Sequence, residues 1–327
     1  MRKILIIDST LRDGSHAIRH KLTKETIKDY CVGAEQAGIE VLVVGHGNGL
    51  GASSLHLGRS THPDKVMLST AKKMLKKTKL ATFIIPGFAT LYDIDMAIAE
   101  GVKTLFVASH CSEANTTKQY IKHAKVDLYG VLMMSHMIEP QELLIQAKLM
   151  ESYGAKGILI MDSAGALLFD DVKRRIHILV NGLAIPVGFH GHNNLGIAIA
   201  NSIVAIEEGA TIIDATTRGL GAGAGNTQLE VLVALLHKMG YKTGLDVRII
   251  LKNTEIIAKI KEPQLISPLS IISGLSGVFS GFAPLVTVAA KKYNVDPIDI
   301  FLELGKRKVV AGQEDQILVV AKSLSHE

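Results

Sequence analysis

A chain of 327 residues with 47% apolar content can bury a large core, as one barrel-sized domain or as two smaller ones. Its 36 basic and 31 acidic residues leave a net charge of +5 with no concentrated basic tract, which argues against nucleic acid or an anionic membrane surface as a partner. Two cysteines, Cys31 and Cys111, are too few for a disulfide framework and suit a reducing cytoplasm. The first apolar run, Ile4 to Ile7, is too short for a signal peptide, and no run reaches the ~20 residues of a membrane span.

Short apolar runs recur along the chain, each ending in polar or glycine residues and each followed by a helical stretch. They predict strands at Lys3 to Asp8, Ile39 to Gly45, Leu80 to Pro86, Thr104 to Ser109, Tyr129 to Met134, Gly157 to Asp162, Ile185 to Phe189 and Thr211 to Ala215. Between them, Thr23 caps a helix whose apolar stripe holds Ile27, Tyr30, Cys31 and Ala34, and Lys72 to Lys79 reads as one solvated helix face. Pro140 opens a helix that Gly154 stops, and another runs from about Leu195 to Glu208, closed by Gly209. Eight such β-then-α units over roughly 240 residues predict a (β/α)8 TIM barrel, whose buried parallel strands explain why the runs are continuously apolar. A doubly wound open sheet is the competing fold, but the first strand-to-helix turn lacks a G-x-G-x-x-G fingerprint.

In a barrel the strand exits share one face, and active sites of this fold are built there. The exits carry Asp8, Arg12, Asp13 and His16, then His46, His110, Ser135 with His136, Asp162, His190 with His192, and Asp214 with Arg218. His190 and His192 stand at i and i+2 of the seventh strand, so their imidazoles share a face. With Asp13 they make a one-carboxylate, two-imidazole set that suits Mn2+, Mg2+, Co2+ or Zn2+. For His46, His110, His136 and Asp162 a structural role, as helix cap or loop hydrogen bond, weighs equally with a functional one. The glycine-rich run Gly219 to Asn226 is either an anion-binding turn or simply a tight one. Lys3, Lys79, Lys103 and Lys156 fall where strands begin, on the face away from the site, so no Schiff-base lysine is apparent and a metal is the expected electron sink.

The segments STLRDGSHAIRH at 9–20, HGH at 190–192 and GAGAGN at 221–226 resemble the metal-dependent 4-hydroxy-2-oxovalerate aldolases. These are pyruvate-specific class II aldolases, of the wider barrel group that includes hydroxymethylglutaryl-CoA lyase and isopropylmalate synthase. The resemblance extends through LMMSHM at 132–137, KLMESYG at 148–154, NSIVAIEE at 201–208 and GQED at 312–315. It implies a TIM-barrel catalytic domain over 1–262 and a small helical interface domain over 263–327, with the break near Pro263 and Pro268. It implies Asp13, His190 and His192 as metal ligands, Mn2+ as the ion, Arg12 and His16 as catalytic residues, and Arg12, Ser163 and Leu275 as substrate contacts. The implied reaction is reversible cleavage of 4-hydroxy-2-oxovalerate, or a related 4-hydroxy-2-oxo acid, to pyruvate and an aldehyde such as acetaldehyde, within aromatic hydrocarbon catabolism. An oligomer is implied, and so is an acylating acetaldehyde dehydrogenase docked on the C-terminal region.

The alternatives are a Claisen-type lyase or synthase using a CoA thioester, and a non-catalytic subunit that binds an aldehyde dehydrogenase. Intact Arg12, Asp13, His16, His190 and His192 argue against the latter. The chain also departs from the resembled family. Gly274, Leu275, Ser276, Gly277 and Val278 stand where the family has Gly-Tyr-Ala-Gly-Val, Pro284 and Leu285 replace an Arg-His pair, and Asn193 replaces the middle residue of His-His-Asn. The metal set is retained while the aldehyde end of the pocket is changed. Tyr293, between Lys292 and Asn294, reads as helix surface and is not assigned the missing tyrosine's role.

Overall fold

A computed structural model describes residues 3–325 of the chain. Its strands are β1 (Leu5–Leu11), β2 (Val41–Val44), β3 (Lys79–Ile84), β4 (Thr104–His110), β5 (Asp127–Met133), β6 (Ile158–Asp162), β7 (Val187–Gly191) and β8 (Ile212–Ala215). They pair in parallel in chain order and close into a barrel through β8 and β1. The covering helices are α1 (Lys24–Ala37), α2 (Asp64–Met74), α3 (Leu91–Ala99), α4 (Lys118–His123), α5 (Pro140–Tyr153), α6 (Phe169–Gly182), α7 (Ala198–Glu207), α8 (Leu229–Lys238) and α9 (Val247–Ala258). Alternate strand residues point to opposite faces. Ile7, Val43, Phe83, Phe106, Val131 and Leu159 fill the barrel, while Ile6, Leu42, Leu80, Leu105, Leu132 and Ile160 pack beneath the helices. Both faces are buried, so apolar residues run without alternation.

Several expected boundaries shift. β1 continues to Leu11, past the expected end at Asp8, and the side chains of Asp8 and Thr10 find partners inside the protein. Tyr30 donates to Asp8 Oδ2 at 2.6 Å, and the Thr217 amide donates to Thr10 Oγ1 at 2.8 Å. The lysine-rich stretch is not one helix face. α2 stops at Met74, and the amides of Lys76, Lys77 and Thr78 donate to the Glu35 carboxylate at 3.1, 2.7 and 3.0 Å, holding this segment as a turn that leads into β3. Thr23 and Gly154 do cap α1 and α5.

After α9 come α10 (Pro268–Ser276), α11 (Ala283–Tyr293), α12 (Pro297–Lys306) and α13 (Asp315–Leu324), around a separate core of Val278, Phe282, Val286, Phe301, Leu304, Ile317 and Val320. The run 285–290 divides: Val286, Ala289 and Ala290 are buried in that core, whereas Leu285 and Val288 face outward. Among the described residues, no helix is long and apolar enough to cross a membrane.

Candidate active site

The exit of β7 sets the geometry. His190 lies on the strand and His192 one step beyond it, their ring centroids 5.1 Å apart and both buried. Asp13 arrives from the 3-10 turn Asp13–Ile18 that follows β1, and one donor atom from each of the three lies within 4.8 Å of the others. His190 Nδ1 donates to Asp214 Oδ2 at 2.8 Å, which directs the bare Nε2 toward Asp13, 3.8 Å from its Oδ2. His190 Nε2 and His192 Nδ1 are both buried without a hydrogen-bond partner. Buried polar atoms are seldom left unpaired, and two imidazole nitrogens beside a carboxylate are the donors a divalent cation takes. The residues present therefore fit a metal.

Arg12 and His16 border this set. Arg12 Nη1 donates to Asp13 Oδ1 at 2.9 Å, and its Nη2 lies 3.6 Å from Asp214 Oδ2. The guanidinium stacks 4.3 Å over Phe83, while its buried Nε has no partner. His16 Nε2 sits 3.9 Å from Asp13 Oδ1, and the imidazole keeps 16% of its surface open to solvent. Gly47 touches both residues: its carbonyl accepts from Arg12 at 3.3 Å, and a Cβ there would collide with the His16 ring. Behind His16, His20 stacks on His46 with centroids 3.6 Å apart. Asn226 Nδ2 donates to Asp13 Oδ2 and to the Leu220 carbonyl, fixing the carboxylate from the other side.

Electrostatics follow from burial and these neighbours. Burial alone would raise the Asp13 carboxyl, but the Arg12 guanidinium beside it opposes this above all, and the group is held well below the usual carboxylate range. Burial pushes His192 down to about 4, reinforced by His190. It lowers His16 too, against the pull of Asp13. A carboxylate kept ionised beside a His192 imidazole kept neutral is the protonation state that metal ligation requires.

Other expected residues have local duties. Asp162, pushed up to about 6 by burial, accepts the amides of Ala166 and Leu167. His46 donates Nε2–H to the Gly58 carbonyl at 3.0 Å, its Nδ1 accepting from the Asn48 amide. His110 bonds Ser112, and His136 donates to the Gly277 carbonyl. The Arg218 amide donates to Glu230. Ser163 Oγ accepts the Met134 amide at 3.0 Å. Leu275 is 70% exposed near the end of α10 and is not enclosed with the buried cluster. The glycine run is a tight turn: a Cβ on Gly225 would strike the Gly219 carbonyl, and the amides of Gly221 and Ala224 are taken by Gln264 and Asn194. Anion binding was the other expectation for this run, and most of its amides are already occupied.

Sequence reasoning missed Gly47 and Asn194. Asn194 Nδ2 reaches the Ala164 carbonyl and the hydroxyls of Ser273 and Ser280 at 2.9, 3.1 and 2.6 Å, and its Oδ1 accepts from Ala224. It thereby joins the β6, β7 and β8 loops to the C-terminal helices.

Residues 3–257 match the HMGL-like family, and residues 264–326 match the DmpG-like communication domain. A protein of Pectobacterium atrosepticum named 4-hydroxy-2-oxovalerate aldolase is 55% identical, over 99% of this chain and 96% of its own length. Proteins of the same name from Spirochaeta aurantia and Carboxydothermus hydrogenoformans are 50% and 47% identical, covering 98% and 99% of the chain and 96% and 98% of their own lengths. Among solved structures, the carboxyl transferase domain of Rhizobium etli pyruvate carboxylase superposes with a TM-score of 0.84 at 16% identity, over 99% of this chain and 61% of that one, a likeness of fold alone. With its barrel matching one family, its C-terminal helices another, and relatives at such identity spanning both, the chain belongs to the HMGL-like family and, within it, to the 4-hydroxy-2-oxovalerate aldolases.

Proposed function

We propose that this protein is a divalent-metal aldolase that splits 4-hydroxy-2-oxovalerate, or a related 4-hydroxy-2-oxo acid, reversibly into pyruvate and an aldehyde such as acetaldehyde. The observation that carries this is the pair of partnerless buried nitrogens, His190 Nε2 and His192 Nδ1, facing an ionised Asp13 beside Arg12 and His16. Asp13, His190 and His192 would hold the ion, for which we propose Mn2+; when bound, it supplies Lewis acidity toward the charge that develops on the 2-oxo acid. Arg12 is held by Asp13, Asp214 and Phe83, so its remaining N–H groups present a fixed donor to the enolate oxygen without reorganising. His16, kept neutral by burial, takes the proton of the 4-hydroxyl in cleavage and returns it in condensation. Ser163 and Leu275 are the further substrate contacts we propose, Leu275 at the aldehyde end.

We divide the chain into a catalytic barrel over 1–262 and an interface domain over 263–327. An acylating acetaldehyde dehydrogenase is the proposed partner of the latter. The communication-domain match supports it, as do the exposed Leu285, Val288, Leu318 and Val319. A cytoplasmic location accords with two free buried thiols, Cys31 and Cys111. Oligomer formation is also proposed, and light scattering reads it. Incubating Mn2+-loaded protein with pyruvate and a panel of aldehydes, with the adducts identified by mass spectrometry, tests the activity. Products that appear only with a CoA thioester would replace it with the Claisen-type reaction.

A further inference from the structure

The opposite end of the barrel holds a feature that aldol chemistry does not use. Lys79 opens β3, Lys103 precedes β4, Lys125 and Asp127 lie at the start of β5, and Lys156 precedes β6. These residues, with Val126, line a cavity of about 470 Å3, within the range of small-molecule sites. Four ammonium groups face one carboxylate. Asp127 Oδ2 takes Lys79 at 2.8 Å and Oδ1 takes Lys156 at 2.5 Å, so both carboxylate oxygens are engaged. Among the described residues, Lys103 and Lys125 have no acidic partner. The nearby Lys3 is paired to Glu40 and adds no net charge. The lining therefore carries a formal charge of +3.

We propose that this cavity is a binding site for a multiply charged oxyanion of the phosphate class. Recognition rests on charge density. The strand-start amides are already spent: those of Lys79, Lys103, Asp127 and Lys156 donate to carbonyls of the neighbouring strands. Lysine offers compact point charges, without the planar fork that reads carboxylate or phosphate shape. A ligand of two or three closely spaced charges is favoured over a monocarboxylate, and substrate-like pyruvate is not a ligand here. Asp127 opposes the ligand, which fixes the sign of one variant in advance.

The test is calorimetric titration of the full chain with inorganic pyrophosphate at about 0.01 M ionic strength, where screening is weakest. AMP, ATP, pyruvate and a short single-stranded oligonucleotide serve as comparison ligands. Saturable pyrophosphate binding is expected, and Lys103→Met with Lys125→Met should weaken it about tenfold or more, because two unit charges are removed. Asp127→Asn should strengthen it several-fold, opposite to the effect of a merely weakened fold. ATP binding better than pyrophosphate would show that the site takes a nucleotide's phosphates; equal affinities would show that the phosphates alone are read. Aldolase activity and unfolding midpoint, measured on each variant, should stay near the parent values. No saturation, equal affinity in the double lysine variant, weaker binding in Asp127→Asn, or an oligonucleotide preferred over every small anion would each overturn the proposal.

Discussion

His190 and Asp214 are joined by a 2.8 Å hydrogen bond from Nδ1–H to Oδ2, made wholly within the protein interior. It selects one tautomer of His190 and keeps the opposite nitrogen as a lone-pair donor. Because Asp214 also lies 3.6 Å from Arg12, the same carboxylate orients a proposed ligand and a proposed catalytic group. Asp214→Ala should lower metal affinity about 10- to 100-fold with the barrel intact. Mn2+ titration followed by paramagnetic resonance or calorimetry checks it, and unchanged affinity would detach Asp214 from the centre.

Chelation should abolish cleavage and Mn2+ should restore it. His190→Ala and Asp13→Asn should be as damaging as chelation while leaving the circular dichroism of the barrel unchanged. Full activity in protein shown by elemental assay to be metal-free would sink the metal-dependent reading.

Arg12 and His16 should separate kinetically. Arg12→Ala removes the proposed donor to the enolate and should cost about 10²- to 10³-fold both in cleavage and in solvent exchange of the pyruvate methyl protons. His16→Ala should depress cleavage about 10²- to 10⁴-fold and exchange far less. Equal losses in both assays for both variants would remove the division of roles.

Leu275→Tyr should shift preference toward small aldehydes and tighten the stereochemistry at C4, since leucine offers shape without a hydrogen bond. With leucine, neighbouring aldehydes differing by one methylene should be discriminated by only ~1 to 3 kcal/mol. Leu275 is 70% exposed, so the outcome is decisive. An unchanged aldehyde profile and unchanged optical purity of the product would return it to the surface.

Acid should destabilise the metal-free protein from about pH 6.5 downward. His20, His46 and His192 are pushed to about 2, about 4 and about 4, in each case chiefly by burial. The unfolded chain then binds more protons than the folded one, costing up to about 1.4 kcal/mol per pH unit for each histidine. Asp8 and Asp162, pushed up to about 6 by burial, act in the opposite sense: the stability they add is present below the ordinary carboxylate range and is lost as pH rises through about 6. Burial lowers His16, His110 and His136 as well and raises Asp64, so the histidines outnumber the carboxyls and the net slope is destabilising on acidification. Urea unfolding at pH 7 and pH 5 measures it, and greater stability at pH 5 would contradict the balance.

The barrel was legible because buried strands leave long apolar runs at regular intervals, and the His190–His192 spacing was legible because strand periodicity is two. Polar strand residues hid the end of β1: Thr10 looks like loop until Thr217, far along the chain, is seen to bond it. Gly47 has no side chain to announce itself, and its role exists only because Arg12 and His16 fold against it. The lysines stand at strand starts, on the far face, as the ends of the apolar runs imply. Their convergence on one cavity depends on β3 to β6 pairing side by side, which no local pattern encodes.

Asn194 has a consequence for anyone who would treat the two parts as exchangeable modules. One amide serves Ala164, Ser273, Ser280 and Ala224, and it stands two residues after His192, a proposed ligand. A chimaera carrying another protein's C-terminal helices would confront that amide with foreign side chains unless hydroxyls recur at both contact points. The graft would then disturb the loop bearing His192 before it altered any partner's docking, so transplanting the domain means recoding the rim of the barrel with it.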